Sequence, residues 1–360
     1  MYQPILAVTM GDPGGIGPEV IAKAFQDFKS PGGFYYLLIG VSEVFEFLKE
    51  ELGLELPLHP IPTLHRDFLR DDSINFLDVK EEAAWLLKNK NLTPSLRSEN
   101  SEKLKGEFVF DIGKVSLPNA AMSLAALKVA AYQAATGLVE AVVTAPVNKT
   151  TIRLIDPRFH GHTEYLAKVS RTKAFAMIFV SDRLKVTLAT IHVPLKKVSR
   201  MITPELILEK IELTDQFLKN YFQHPEPKIA VCALNPHGSE TGPEEEAVIL
   251  QAVRQAQKEN IQAIGPLSAD QLFYDAYQGR FDAVVSMYHD QGLAPFKMMA
   301  FHEGVNVTLG LPYIRTSPDH GTAFDIAYQG KADSRSMKAA LELAQKLCLR
   351  HKNTSAQKHK

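Results

Sequence analysis

Five short apolar runs in this chain each end in a compact polar motif, and that arrangement restricts the possible folds more than any other feature. The run at 5–10 leads into GDPGGIGPE (11–19), that at 141–145 into PVNK (146–149), and that at 186–190 into IHVP (191–194). The run at 229–233 leads into LNPH (234–237), and that at 283–287 into YHDQG (288–292). Further strand-like runs lie at 35–39, 174–180 and 305–309. Longer amphipathic stretches at 18–28, 120–135, 204–221, 244–259, 269–277 and 336–349 read as helices. Strands separated by helices predict an α/β fold with largely parallel sheets and helices on both faces. Ligands of open parallel sheets bind beyond the carboxyl ends of the strands, so the five motifs are expected to gather on one face.

At 360 residues, 45% of them hydrophobic, the chain can bury more than one core. Two lobes are expected: 1–130 with 305–360, and 131–304. The stretch 64–106 is rich in charge, Asn and Ser and holds the single Trp, Trp85. It reads as a surface insertion with a short helix at 80–88. A net charge of -1 gives no global field for nucleic acid or a membrane surface. Two cysteines, Cys232 and Cys348, form neither a disulfide framework nor a zinc spacing. No run approaches the length of a membrane span. The first residues read as a strand entering a Gly/Pro loop, not as a signal peptide, so a soluble cytoplasmic protein is expected. The basic segment 349–360 reads as a solvated terminus.

Three of the strand-end motifs deliver a histidine: His192, His237 and His289. Imidazole is a common ligand for zinc and similar ions, and three histidines with open positions would make a catalytic rather than a structural site. Taken one at a time, each could equally be a hydrogen-bonded structural residue. Asp290 could orient the neighbouring ring. GDPGGIGPE offers a backbone cradle for an anion, yet its glycine spacing is neither that of a Rossmann dinucleotide loop nor that of a P-loop. The loop therefore implies close approach of something, or else a tight structural turn. GHTE (161–164) puts His162 and Thr163 at the start of a helical stretch, and Lys297 and Arg315 are cations suited to phosphate or carboxylate.

In this order, GDPGGIGPE, GHTEYLA, NPH, YHDQGLAPFK and PDHGTAFDIA resemble the 4-hydroxythreonine-4-phosphate dehydrogenase family of pyridoxal phosphate biosynthesis. The resemblance spans nearly the whole chain. It implies a two-lobed fold like that of isocitrate and isopropylmalate dehydrogenases, and a homodimer with its active sites at the subunit interface. It implies that His192, His237 and His289 hold a divalent metal, one of them reaching across from the partner subunit. Zinc is the first expectation, with cobalt, manganese or magnesium as alternatives. Substrate would meet His162, Thr163, Lys297, Asn306 and Arg315, and NAD or NADP would meet His320, Gly321, Thr322 and Asp325. Two departures stand out: the loop after His237 is short, and Tyr328 stands where the family commonly has glycine.

The implied chemistry is oxidation of a phosphorylated hydroxy acid followed by loss of CO2. Lys297 is the first candidate for acid/base work and Asp270 the second. For 4-phosphohydroxy-L-threonine the product would be 3-amino-2-oxopropyl phosphate. Two alternatives stay open: D-erythronate or D-threonate 4-phosphate as substrate, and a non-catalytic metal-dependent phosphometabolite-binding protein.

Overall fold

Parallel pairing of buried strands organises the protein. The structure is a computed structural model that describes residues 2–26, 32–89, 110–240 and 242–357. Along the chain run β1 (Ile5–Thr9), α1 (Gly17–Gln26), β2 (Tyr35–Gly40), α2 (Ser42–Leu52), β3 (Leu58–Pro60), β4 (Ile74–Asp78) and α3 (Lys80–Lys88). Then come α4 (Leu117–Ala135), β5 (Ala141–Thr144), α5 (Lys149–Arg153), α6 (His162–Val169), β6 (Ala176–Val180), β7 (Lys185–Leu188), α7 (Leu195–Met201) and α8 (Pro204–Phe222). The remainder comprises β8 (Lys228–Cys232), α9 (Leu250–Lys258), β9 (Gln262–Leu267), α10 (Ala269–Tyr277), β10 (Ala283–Ser286), α11 (His289–Ala300), β11 (Val305–Leu309), β12 (Ile314–Pro318) and α12 (Arg335–Gln357).

The chain divides into two compact units, Met1–Arg171 with Tyr313–Ala344 and Thr172–Pro312 with Gln345–Lys360. In the first, the strand order is β3-β4-β2-β1-β5-β12, and every pair is parallel. All of β1 is buried, as expected for a strand covered on both faces. In the second, the order is β11-β6-β7-β10-β8-β9. Here β6 runs antiparallel to both neighbours, while β7, β10, β8 and β9 are mutually parallel. Local chemistry sets the helix starts. Ser116 and Thr203 accept from Asn119 N–H and Leu206 N–H, and proline occupies the first turn of α4 and of α8. Among the described residues no helix is long and apolar enough to cross a membrane.

The α/β class and the parallel sheets agree with the sequence reading, and two details differ. Residues 64–89 are not a surface insertion. They contribute β4, which is paired on both sides, and α3. The buried Asn75 obscured this strand; its amide donates to the Tyr36 and Arg70 carbonyls and so meets no penalty. The rest of the expected insertion, 90–106, lies outside the described residues. The other difference is in the unit boundaries: the chain leaves the first unit at Arg171, not near 130, because β5 pairs with β1 and β12, it returns at Tyr313, not at 305, because β11 pairs with β6, and from Gln345 it belongs to the second unit.

Gly310 follows β11 with φ +87°, and a Cβ there would run into the Ala174 carbonyl oxygen. Gly310→Ala is expected to cost about 2 kcal/mol or more, from left-handed strain plus a backbone clash. Urea unfolding measures it, and stability unchanged from wild type would contradict this packing.

Candidate active site

In the second unit, the three histidine-bearing motifs leave adjacent parallel strands, β7, β10 and β8. His289 opens α11, and His192 follows β7. Their ring centroids lie 5.6 Å apart. His289 Nδ1 meets Asp290 Oδ1 at 2.7 Å. A carboxylate there accepts a hydrogen bond from Nδ1–H and leaves Nε2 as the nitrogen able to ligate. The sequence reading of Asp290 as an orienting group thus has its geometry.

His237 does not join them. It sits in the left-handed region at φ 58°. The loop before it is clamped by the buried Glu245, whose Oε1 accepts from Leu234 N–H at 2.9 Å and Asn235 N–H at 2.8 Å. A π-helical turn at Glu245–Ile249 presents that carboxylate. His237 lines a cavity of about 830 Å³ together with Asp270, Phe273, Tyr288 and Met298. Among the described residues no three His, Cys, Asp or Glu side chains are grouped to hold a metal. Donor type fits a divalent transition ion, and among the described residues His192 and His289 approach each other closely.

Asp270 lies exposed in the first turn of α10 and shares the cavity with His237. Lys297 is partly buried on α11, the helix that His289 begins. Asn306 stands in β11 opposite Phe179, and its Oδ1 is buried without a hydrogen-bond partner. An unsatisfied buried oxygen costs about 1–3 kcal/mol, the kind of vacancy a ligand's donor removes.

In the first unit, Arg315 is 3% exposed in β12 and donates through Nε and Nη2 to Thr144 Oγ1 at 3.2 and 2.8 Å. Burial pulls its pKa down to about 10, which leaves it charged at neutral pH. His162 and the buried Thr163 begin α6. Burial, then the Arg315 and Lys149 charges, hold His162 well below the usual histidine range. Its ring is therefore neutral, with Nε2 buried and unpartnered. Lys149, which the sequence reading left without a role, thus belongs to the same cluster; PVNK at the end of β5 was the available signal.

The glycine loop is not an anion cradle. Gly14 N–H goes to Asp12 Oδ1, Gly15 N–H to the Asp12 carbonyl and Ile16 N–H to the Thr322 carbonyl. What approaches closely is the chain itself: a Cβ on Gly15 would lie 2.7 Å from the Thr322 oxygen. The loop holds the segment expected to bind the cofactor. Tyr328 adds to this, donating to the Pro13 carbonyl at 2.8 Å and packing on Phe47 and Phe110. Beyond that anchor, His320 Nε2 is buried and unpartnered, and nothing lies within 4 Å of a Cβ on Gly321. Asp325 is exposed. An orphaned nitrogen beside open backbone fits a bound cofactor.

Asp12 is fully buried, and burial raises its pKa to about 6. A carboxyl that titrates higher folded than unfolded favours folding in acid. That contribution is whole below about pH 4 and is lost as pH rises through about 6. Asp12→Asn keeps an acceptor for Gly14 N–H and removes the titration. Relative to wild type, the variant is expected to gain about 2–3 kcal/mol between about pH 4 and pH 7. Urea unfolding across that range checks it, and parallel pH profiles would refute it.

With this geometry in place, comparison with known proteins is informative. The family model described as pyridoxal phosphate biosynthetic protein PdxA matches residues 63–344. A 4-hydroxythreonine-4-phosphate dehydrogenase of Desulforapulum autotrophicum is 39% identical over 350 residues, 95% of each chain. A D-threonate 4-phosphate dehydrogenase of Pectobacterium atrosepticum is 36% identical over 347 residues, 95% of this chain and 99% of that one. The crystal structure of 4-hydroxythreonine-4-phosphate dehydrogenase from Klebsiella pneumoniae shares 33% identity, with a TM-score of 0.79 over 96% of this chain and 99% of that one. The family model and these relatives span both units, and the chain belongs to the PdxA family of pyridoxal phosphate biosynthetic proteins.

Proposed function

We propose that this protein is an NAD(P)-dependent 4-hydroxythreonine-4-phosphate dehydrogenase working in the cytoplasm. It oxidises 4-phosphohydroxy-L-threonine and releases CO2, leaving 3-amino-2-oxopropyl phosphate. The observation that carries this reading is the cationic cluster around the neutral His162, with the buried Arg315 beside it, in a chain of this family. Such a cluster binds a phosphorylated substrate and fixes its orientation.

When bound, the nicotinamide supplies a hydride acceptor and a divalent cation supplies positive charge to the reacting oxygens. His320, Gly321, Thr322 and Asp325 are assigned to the nicotinamide cofactor, NAD or NADP. His192, His237 and His289 are assigned to the cation, with zinc first and cobalt, manganese or magnesium as alternatives. One of the three histidines comes from a second copy of the chain, in a homodimer with its active sites at the interface. The open His192–His289 pair supports this, as do the exposed Tyr274 (60%), Met298 (82%) and Phe301 (67%) on and beside α10 and α11.

His162, Thr163, Asn306 and Arg315 hold the substrate. Lys297 is assigned the acid/base role, accepting the proton of the substrate hydroxyl. The resulting ketone lies β to the carboxylate, so the bond to CO2 breaks with its electron pair entering the ketone as an enolate. A proton then returns to the carbon that CO2 left. Asp270, opening α10 beside His237, is the second group able to carry a proton.

D-threonate 4-phosphate is the second reading, supported by the relative of that name at 36% identity. It carries a hydroxyl in place of the amino group and requires the same chemistry. NAD(P)H formation at 340 nm should be measured with 4-phosphohydroxy-L-threonine and with D-threonate and D-erythronate 4-phosphates. Turnover of the threonine compound is expected, abolished by EDTA and restored by divalent metal. Lys297→Ala is expected to lose about 10²-fold or more in kcat/KM. Turnover of an aldonate phosphate alone would move the protein to the second reading, and silence with all three substrates would reject both.

A further inference from the structure

Lys149 is the one cation of the His162 cluster that the assigned roles leave unused. It begins α5 directly after β5, and Asn148 caps that helix by accepting Thr151 N–H at 3.1 Å. The strand–cap–helix junction therefore fixes the backbone from which the lysine extends. Its Nζ would lie 3.7 Å from a Cβ placed on Gly161, the residue just before α6. The ammonium is thus held beside the amino-terminal turn of α6, close to His162. It is partly buried and makes no ion pair or hydrogen bond to a described residue. Glu164 shares the neighbourhood of Gly161 without pairing with it.

Glu164 is one carboxylate facing two cations, Lys149 and the buried Arg315, so the set keeps an excess positive charge that a bound anion would complete. His162 does not supply that charge. Its ring is neutral, and its buried Nε2 lacks a partner. The first turn of α6 adds backbone N–H groups facing the same region. Three elements thus bring two positive charges and an unsatisfied ring nitrogen to one place. That suits a dianion better than a single carboxylate.

Resting on the dehydrogenase reading for the identity of the substrate, we propose that Lys149 is a further substrate-binding residue that takes the phosphate group together with Arg315 and His162. It anchors the end of the substrate away from the reacting carbons and touches no atom that changes bonding.

Isothermal titration of the full-length protein with inorganic phosphate, with acetate as the comparison anion, tests this without requiring turnover. Lys149→Met is expected to weaken phosphate by about tenfold or more, and Lys149→Arg to stay within about threefold of wild type. Circular dichroism and thermal melting establish that each variant is folded, and Lys149→Gln replaces Lys149→Met if the latter is not. Phosphate affinity in the folded variant within about twofold of wild type would overturn the proposal. Acetate weakened as much as phosphate would overturn the phosphate assignment. Weakened phosphate binding in a protein that turns over no phosphorylated hydroxy acid would uphold the lysine and reject the dehydrogenase reading. Unchanged phosphate binding beside normal wild-type turnover would do the reverse.

Discussion

Parallel strand pairing is the constraint on which the rest of this protein depends. A parallel pair cannot be closed by a tight turn, so each strand hands the chain to a crossover, and every outgoing segment leaves from the same edge. In the first unit this places the ends of β1 and β5 side by side, and with them Asp12 and Lys149, while Arg315 reaches Thr144 at the end of β5 from within the adjacent β12. In the second it does the same for β7, β10 and β8, whose outgoing loops hold the three histidines. The chemistry is gathered by the direction of the strands before any side chain makes a contact.

Within that arrangement, buried polar groups set the detail. Glu245 holds the loop that carries His237, and Asp12 closes the glycine turn on itself. Glu19, fully buried, accepts Ala332 N–H at 2.9 Å and pairs with Lys23, which in turn donates to the Gly330 and Ala332 carbonyls. The segment from Asp319 to Ala332 is therefore pinned to the loop after β1 at Thr322 and to α1 at Ala332. Charge buried in this way is costly, and although backbone N–H groups satisfy one oxygen each of Asp12 and Glu19, their other oxygens are buried without a hydrogen-bond partner. Such bonds specify loop position more than they add stability.

Much of this was legible in the sequence because the signals were local. Val305–Leu309 and Ala269–Tyr277 have the expected boundaries, since an apolar run and a helical period each need only a few residues to declare themselves. The strand-end motifs identified the neighbouring His192 and His289, and GHTE at a helix start identified His162 and Thr163. What was hidden depends on partners distant in sequence. β4 carries a buried asparagine satisfied from elsewhere, and α11 forms with Pro295 inside it. The glycines of the first loop suggested a ligand because nothing near them in sequence shows that Thr322 packs against Gly15. The left-handed conformation of His237 leaves no trace in residue spacing.

The central claim is that one active site both oxidises a phosphorylated hydroxy acid and releases its carboxylate. The most direct test uses 4-phosphohydroxy-L-threonine labelled with carbon-13 at the carboxyl carbon, following labelled CO2 and NAD(P)H together. One labelled CO2 for each NAD(P)H is the predicted result. NAD(P)H formed while the label stays in an accumulating keto acid would contradict the account.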